Sequence, residues 1–196
     1  VFGVSTTEVT KEMRRKAKVI NFGILYGMGV NALAQNLKSD RKTAQEFYNS
    51  YFGEFTGLAK YLDQTKKDAE KFGYTKTFFG RRRYFQGLKS KIPYIKAAAE
   101  RMAINAPTQG TSADIIKIAM RQIDDYIVEN NLSDKVFMIL QIHDELVFEV
   151  SNECDKKVVE DIRKIMESVL SMEKTFGVPI VANTAVGDNW GEMEKN

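Results

Sequence analysis

The sequence predicts an α+β fold: a mostly helical lobe to about residue 94, then a lobe whose helices back an antiparallel sheet with one tight hairpin. Three observations lead there. Apolar residues recur at helical spacing through most of the first lobe, with few long apolar runs. Val136–Ile142 is then a continuous apolar run, the mark of a buried strand, and Leu146–Val150 resumes it across a short polar interruption, as two paired strands would. The composition, 43% hydrophobic and 28% charged over 196 residues, is that of an ordinary globular chain with length for one sizeable core or two modest lobes.

The elements follow in order. Ser5 and Glu8 have the spacing of a capping box, with Val4 and Val9 placed to staple the entry, and Thr10 offers a second start directly before the main helix. That helix is expected over Lys11–Met28, with Met13, Ala17, Ile20 and Ile24 as its buried stripe. A short helix over Asn31–Leu37 comes next. Ser39 or Asp40 then caps a helix carrying Ala44, Phe47, Tyr48 and Tyr51, and Gly53 and Gly57 punctuate. An amphipathic helix runs to Lys71 and stops at Phe72-Gly73. Aromatic and β-branched residues between Tyr74 and Phe85 favour short strands around a turn at Gly80. Pro93 opens a helix that Pro107 and Gly110 are expected to interrupt, and a further helix over Ala113–Glu129 buries Ile116, Met120, Ile123 and Ile127. After the hairpin, residues 155–170 read as a helix with Val158, Ile162, Ile165 and Val169 inward, and Pro179–Val186 as a last strand.

One stretch points to a ligand. Arg14, Lys18, Phe22 and Tyr26 recur every fourth residue, giving a stripe of two cations and then two flat rings. A molecule with an anionic end and a planar end, such as a nucleoside triphosphate, suits that stripe. Gly23 and Gly27 lie between the rings, where a helix avoids Gly at about 1 kcal/mol each, so the backbone is closely approached or the helix ends or bends there. The net charge of +3 is modest, but Lys11, Arg14, Arg15, Lys16 and Lys18 form one basic cluster, and Arg81, Arg82, Arg83, Lys89 and Lys91 another, as phosphate binding uses. The single Cys154 permits no internal disulfide and has no metal-ligating neighbours in sequence. No run is apolar enough for a membrane span. The chain opens on Val1 in mid-pattern, as a piece of a longer protein would.

The string Arg14-x-x-x-Lys18-x-x-x-Phe22-x-x-x-Tyr26-Gly27 resembles the nucleotide-binding fingers helix of family A DNA polymerases, the bacterial DNA polymerase I family. His143-Asp144-Glu145 within QIHDELVFEV resembles a palm motif of the same family, and Asn105–Met120, NAPTQGTSADIIKIAM, matches the segment between them. The resemblance covers essentially the whole chain, in the family's order. It implies a right-hand polymerase fold represented by a fingers subdomain over residues 1–94 and the C-terminal palm over 95–196, without thumb or N-terminal palm. It implies template-directed DNA synthesis with dNTPs and primer-template DNA as partners, and a cytoplasmic, nucleoid-associated setting, with a phage or organellar origin left open. Arg14 and Lys18 would hold the triphosphate, Lys18 also protonating the departing pyrophosphate. Phe22 would stack near the incoming base and sugar, its Phe implying stronger rejection of dideoxynucleotides, and Tyr26 would cover the templating position. Asp144 would ligate Mg2+, with Glu145 in support. Arg101, Asn105 and Gln109 would touch the primer-template minor groove, whose acceptors occur in every base pair and so report pair geometry rather than sequence. His143 would sit beside the primer terminus.

One departure stands out. The family's other palm motif, an Asp followed by Ser/Thr-Gln-Ile-Glu, is absent here, and with it the second metal-binding Asp. The two-metal site is therefore expected to need the remainder of the polymerase chain, thumb and N-terminal palm included, and this stretch alone to be inactive or nearly so. Two other readings share the pattern. A non-catalytic DNA-binding half of a split polymerase would look the same. A phage-type single-subunit RNA polymerase shares the Arg/Lys/Tyr-Gly helix, but usually has Ser where Glu145 stands and lacks the NAPTQG-like segment.

Overall fold

The computed structural model describes residues 4–154 and 157–195. Ser5 opens a single 3-10 turn, its N–H and hydroxyl both bonded to Glu8 Oε2 at 3.1 and 2.8 Å. Val4 and Val9 are both exposed, so the staple does not form. Thr10 caps α1 (Lys11–Leu25), its hydroxyl accepting from the Met13 N–H at 3.1 Å. Three short helices follow: α2 (Val30–Leu37), α3 (Arg41–Glu54) and α4 (Thr56–Phe72). Asp40, not Ser39, caps α3; the Thr43 N–H and hydroxyl, both at 2.9 Å, hold its carboxyl below the usual range. Gly53 and Gly57 do not punctuate: each lies inside a helix, and the break falls at Phe55 between them. Gly73, at φ +77°, ends α4 as expected.

Burial binds α1, α2 and α3 together. Ile20, Ile24, Leu33, Ala44 and Tyr51 form one cluster, and burying the two isoleucines contributes about 2 kcal/mol each. This fixes which face of α1 is inside, and so which face is left outward.

Strands β1 (Tyr74–Lys76) and β2 (Arg82–Tyr84) pair antiparallel around Gly80, at φ +86°. The long helix α5 (Pro93–Glu129) is continuous, with Pro107 inside it, contrary to the expected interruption. Proline removes one hydrogen bond and crowds the carbonyl of Ala103. Packing on both sides of the proline overrides that local cost. Ala99, Ala103 and Ala106 pack with Ala69, Phe85 and Leu88, while Ala119, Ile123 and Ile127 belong to a different core. The chain accordingly divides into two compact units, one through Gly110 and one from Thr111 onward, with the division inside α5.

In the second unit, β3 (Val136–Ile142) and β4 (Glu145–Val150) form an antiparallel hairpin with an irregular register between Met138 and Leu140. Its inner face, with Val136, Met138, Leu146, Phe148 and Val150, packs on Ala119, Ile123 and Ile127 and on Val158 and Ile162 of α6 (Lys157–Ser168). The expected helical residues 155 and 156 lie outside the described set. The run Val136–Ile142 is not buried on both sides as its composition suggests. Phe137, Ile139 and Leu140 are exposed, because among the described residues the hairpin's sheet has two strands and one covered face. The last expected strand also shrinks, to β5 (Ala185–Val186), paired with β6 (Glu194–Lys195); residues 179–184 have no sheet edge beside them among the described residues.

Candidate functional site

The end of α1 explains why the stripe stops where it does. The Met28 N–H bonds to the Gly23 carbonyl at 2.7 Å and the Gly27 N–H to that of Ile24 at 3.0 Å, with Gly27 left-handed at φ +80°. These are the two bonds of a Schellman cap. The helix therefore ends at Leu25, three residues short of the expected Met28, and Tyr26 is its C-cap residue. The two glycines have separate causes. Met28 folds back over Gly23, where a Cβ would meet its Cε at 2.2 Å; Gly27 supplies the positive φ, and its missing Cβ leaves room for the stem of Arg101, whose Cγ would stand 2.7 Å away.

Along the outward side of α1, Arg14 and Lys18 are exposed and have no carboxylate partner among the described residues. Phe22, 49% exposed, and the half-buried Tyr26 follow, with rings nearly parallel at 13° and centroids 6.1 Å apart. The structure thus holds the four as a line of two free cations and a two-ring platform. Lys11 and Arg15 extend the exposed positive charge beside it; the side chain of Lys16 lies outside the described set. Arg101, exposed on α5, meets the end of this line at Gly27. One turn further along α5, Asn105 is half-buried and its Oδ1 is enclosed without a partner; Gln109 is exposed a turn beyond that. Because α5 is continuous across Pro107, these three residues keep their four-residue spacing on one helix.

His143, Asp144 and Glu145 belong to the second unit, and all three are exposed. The loop is only His143-Asp144; Glu145 is already the first residue of β4, opposite Ile142. His143 sits at φ +52°, a left-handed conformation that costs a non-glycine residue about 1 kcal/mol. Something must hold it there, and Gln141 does: its Nε2 donates to the His143 carbonyl at 2.6 Å. Sequence reasoning did not single out Gln141, although an amide set in an apolar strand two residues before the turn was the available signal. The outcome is that Asp144 is presented at a hairpin tip with its carboxylate free.

As a metal site, this tip offers oxygen donors of the type Mg2+ prefers, from one or two carboxylates with substrate phosphates and water completing the shell. No three His, Cys, Asp or Glu side chains gather into a metal-binding group among the described residues, so the donor set here fits one partly protein-held ion rather than a full two-ion centre. No helix is long and apolar enough to cross a membrane among the described residues.

The chain is similar to known proteins along nearly its whole length. DNA polymerase I of Pseudomonas aeruginosa is 43% identical over 98% of the chain, which spans 20% of that relative; the thermostable DNA polymerase I of Thermus aquaticus is 38% identical over 97% of the chain, which spans 22% of it. The chain thus spans about a fifth of the length of the curated relatives it matches. Among solved structures, the POL domain of Pol1 from M. smegmatis, in complex with DNA primer-template and dNTP, superposes with a TM-score of 0.84 at 40% identity, covering 91% of this chain and 30% of that one. A family model described as DNA polymerase family A matches residues 1–192, and the chain belongs to that family.

Proposed function

We propose that the protein carrying this chain is a template-directed DNA polymerase. It extends a primer 3′-hydroxyl with nucleotides from dNTPs and releases pyrophosphate. Residues 1–94 serve as fingers and 95–196 as C-terminal palm, working with a thumb and N-terminal palm from the remainder of the polymerase chain. The observation that carries the reading is the line on α1, where two cations with no carboxylate partner among the described residues lead into two nearly parallel rings, Phe22 exposed and Tyr26 half-buried.

Each residue has a task that its placement supports. Arg14 and Lys18 take the triphosphate, as charge-assisted donors with no carboxylate competing for them. Lys18 also gives its proton to the departing pyrophosphate oxygen. Phe22 and Tyr26 present the flat surface against which the incoming base and the templating position are checked. Arg101, Asn105 and Gln109 line α5 for contacts along the minor groove, with Arg101 already touching the end of the nucleotide helix. His143 lies by the primer terminus, and Asp144 contributes a metal-ligating carboxylate, with Glu145 beside it. Mg2+ held there would lower the charge barrier to attack by the primer hydroxyl and stabilise the leaving pyrophosphate.

The test is primer extension with Mg2+ and all four dNTPs. The chain alone should bind primer-template in a salt-sensitive way but not extend it. Joined to the preceding part of a family A polymerase, it should extend, and Asp144→Asn should remove activity by orders of magnitude while leaving binding intact. Extension unaffected by Asp144→Asn would overturn the assignment. Robust extension by the chain alone would show that its own carboxylates complete the metal site.

A further inference from the structure

Gly110 is the second helix-weakening residue that α5 accommodates, and the β1–β2 turn accounts for it. A Cβ built on Gly110 would stand 2.6 Å from the Thr77 methyl and 3.3 Å from Arg81 Nη2, so the turn comes this close only because no side chain is there. Arg81 Nη2 donates to the Gly110 carbonyl at 3.0 Å. A carbonyl has two lone pairs, so this bond can be added to the helix ladder without displacing part of it. The turn that presents Arg81 is closed on itself. The Thr77 N–H bonds to the Arg81 carbonyl at 2.9 Å, the Gly80 N–H to the Thr77 carbonyl at 3.0 Å, and the Arg81 N–H to the Thr77 hydroxyl at 3.1 Å. Thr77 itself is buried. The clasp falls where α5 is weakest. Pro107 supplies no N–H to the Ala103 carbonyl, and glycine is the poorest helix former after proline, so two weak residues lie within one turn. Gln109 stands between them, with Asn105 one turn before.

We infer that Arg81 is a positioning residue for DNA synthesis: by clasping the Gly110 carbonyl it holds Gln109 in line with Asn105 and Arg101. Without the clasp, the turn of α5 between Pro107 and Gly110 would lose its outside support, and the Gln109 amide would be less well aimed at a base pair. Binding of a backbone phosphate by Arg81 would not call for a glycine at position 110; the close approach of this turn does. That task rests on the polymerase reading of the α5 line, while the clasp stands on its own geometry.

Two measurements test it. The first is hydrogen exchange of the 196-residue chain. Arg81→Ala should speed exchange of the amides around residues 108–112 by about tenfold, the size of one lost charge-assisted bond, while the amides of α3 keep their protection and so report an intact fold. The second uses the polymerase formed by joining this chain to the preceding part of a family A polymerase. Its readout is the ratio of kcat/KM for extending a matched over a mismatched primer terminus. Arg81→Ala should lower that ratio by about tenfold, and Gln109→Ala by a similar factor. The double variant should lower it no further than Gln109→Ala alone, because both changes remove the same contact. Arg81→Lys, which keeps a charged donor, should retain most of the ratio, and the salt slope of primer-template binding should be unchanged in Arg81→Ala. Unchanged exchange in Arg81→Ala overturns the inference, as do fully additive losses in the double variant. A salt slope shallower by about one would make Arg81 a phosphate contact instead, and overturns it too. Faster exchange together with a ratio that Gln109→Ala does not move would overturn the minor-groove task of Gln109, leaving the clasp as a contact of the fold alone.

Discussion

His143 holds a backbone conformation that costs any residue but glycine free energy. Its φ of +52° is one that glycine adopts freely, and the Gln141 amide is needed to hold the loop carbonyl. If the imidazole is there for the primer terminus rather than for the fold, His143→Gly should relieve backbone strain. The expected outcome is a gain of up to about 1 kcal/mol, read as a rise in Tm of about 2–4 °C, together with weaker primer-template binding. A fall in Tm would assign the ring to packing. The residue types at the site were legible in the sequence because their spacing is chemical information: Arg14, Lys18, Phe22 and Tyr26 needed only a helix to become a line. What spacing did not reveal was support. The bond that the Gln141 amide makes and the space that Gly27 leaves for Arg101 both depend on where a residue distant or across a turn comes to rest, which spacing does not encode.

Among the elements, local signals were reliable where a cap or a left-handed residue set the boundary and failed where packing overrode them. Thr10, Asp40 and Gly73 each mark a helix end at the expected place or within a residue of it. Pro107 is the opposite case. A mid-helix proline normally breaks the helix, yet α5 runs from Pro93 to Glu129, because alanines on one side and isoleucines on the other are each anchored in a core. The helix therefore bears an unrelieved local cost, and Pro107→Ala should restore the missing bond to the Ala103 carbonyl. The expected effect is stabilisation by about 1–3 kcal/mol in urea-induced unfolding, with an unchanged m-value. Destabilisation would mean that the pyrrolidine ring itself completes the packing around Ala103 and Ala106. The strand expected over Pro179–Val186 failed for a complementary reason: strand propensity makes no ladder without a neighbouring edge, and only Ala185 and Val186 find one.

For the whole molecule, the telling feature is apolar surface left outside. A run such as Val136–Ile142 ordinarily belongs to a sheet covered on both faces, yet here Phe137 is 48% and Ile139 57% exposed on the side away from the core. The hairpin's sheet has two strands, so both of its edges lack a strand partner among the described residues. The chain spans about a fifth of its relatives, and a face of this kind is what a larger sheet would cover. On its own, the 196-residue chain should therefore self-associate as its concentration rises through the micromolar range. Sedimentation velocity across that range would show a growing sedimentation coefficient. Ile139→Lys puts a charge at the centre of the patch without touching the inner-face residues that pack on α5 and α6. It should hold the chain monomeric with unchanged far-UV circular dichroism. A wild-type chain that stays monomeric throughout would show that Phe137 and Ile139 are tolerated as ordinary surface, and that the composition of β3 reflects strand propensity alone rather than a covering partner.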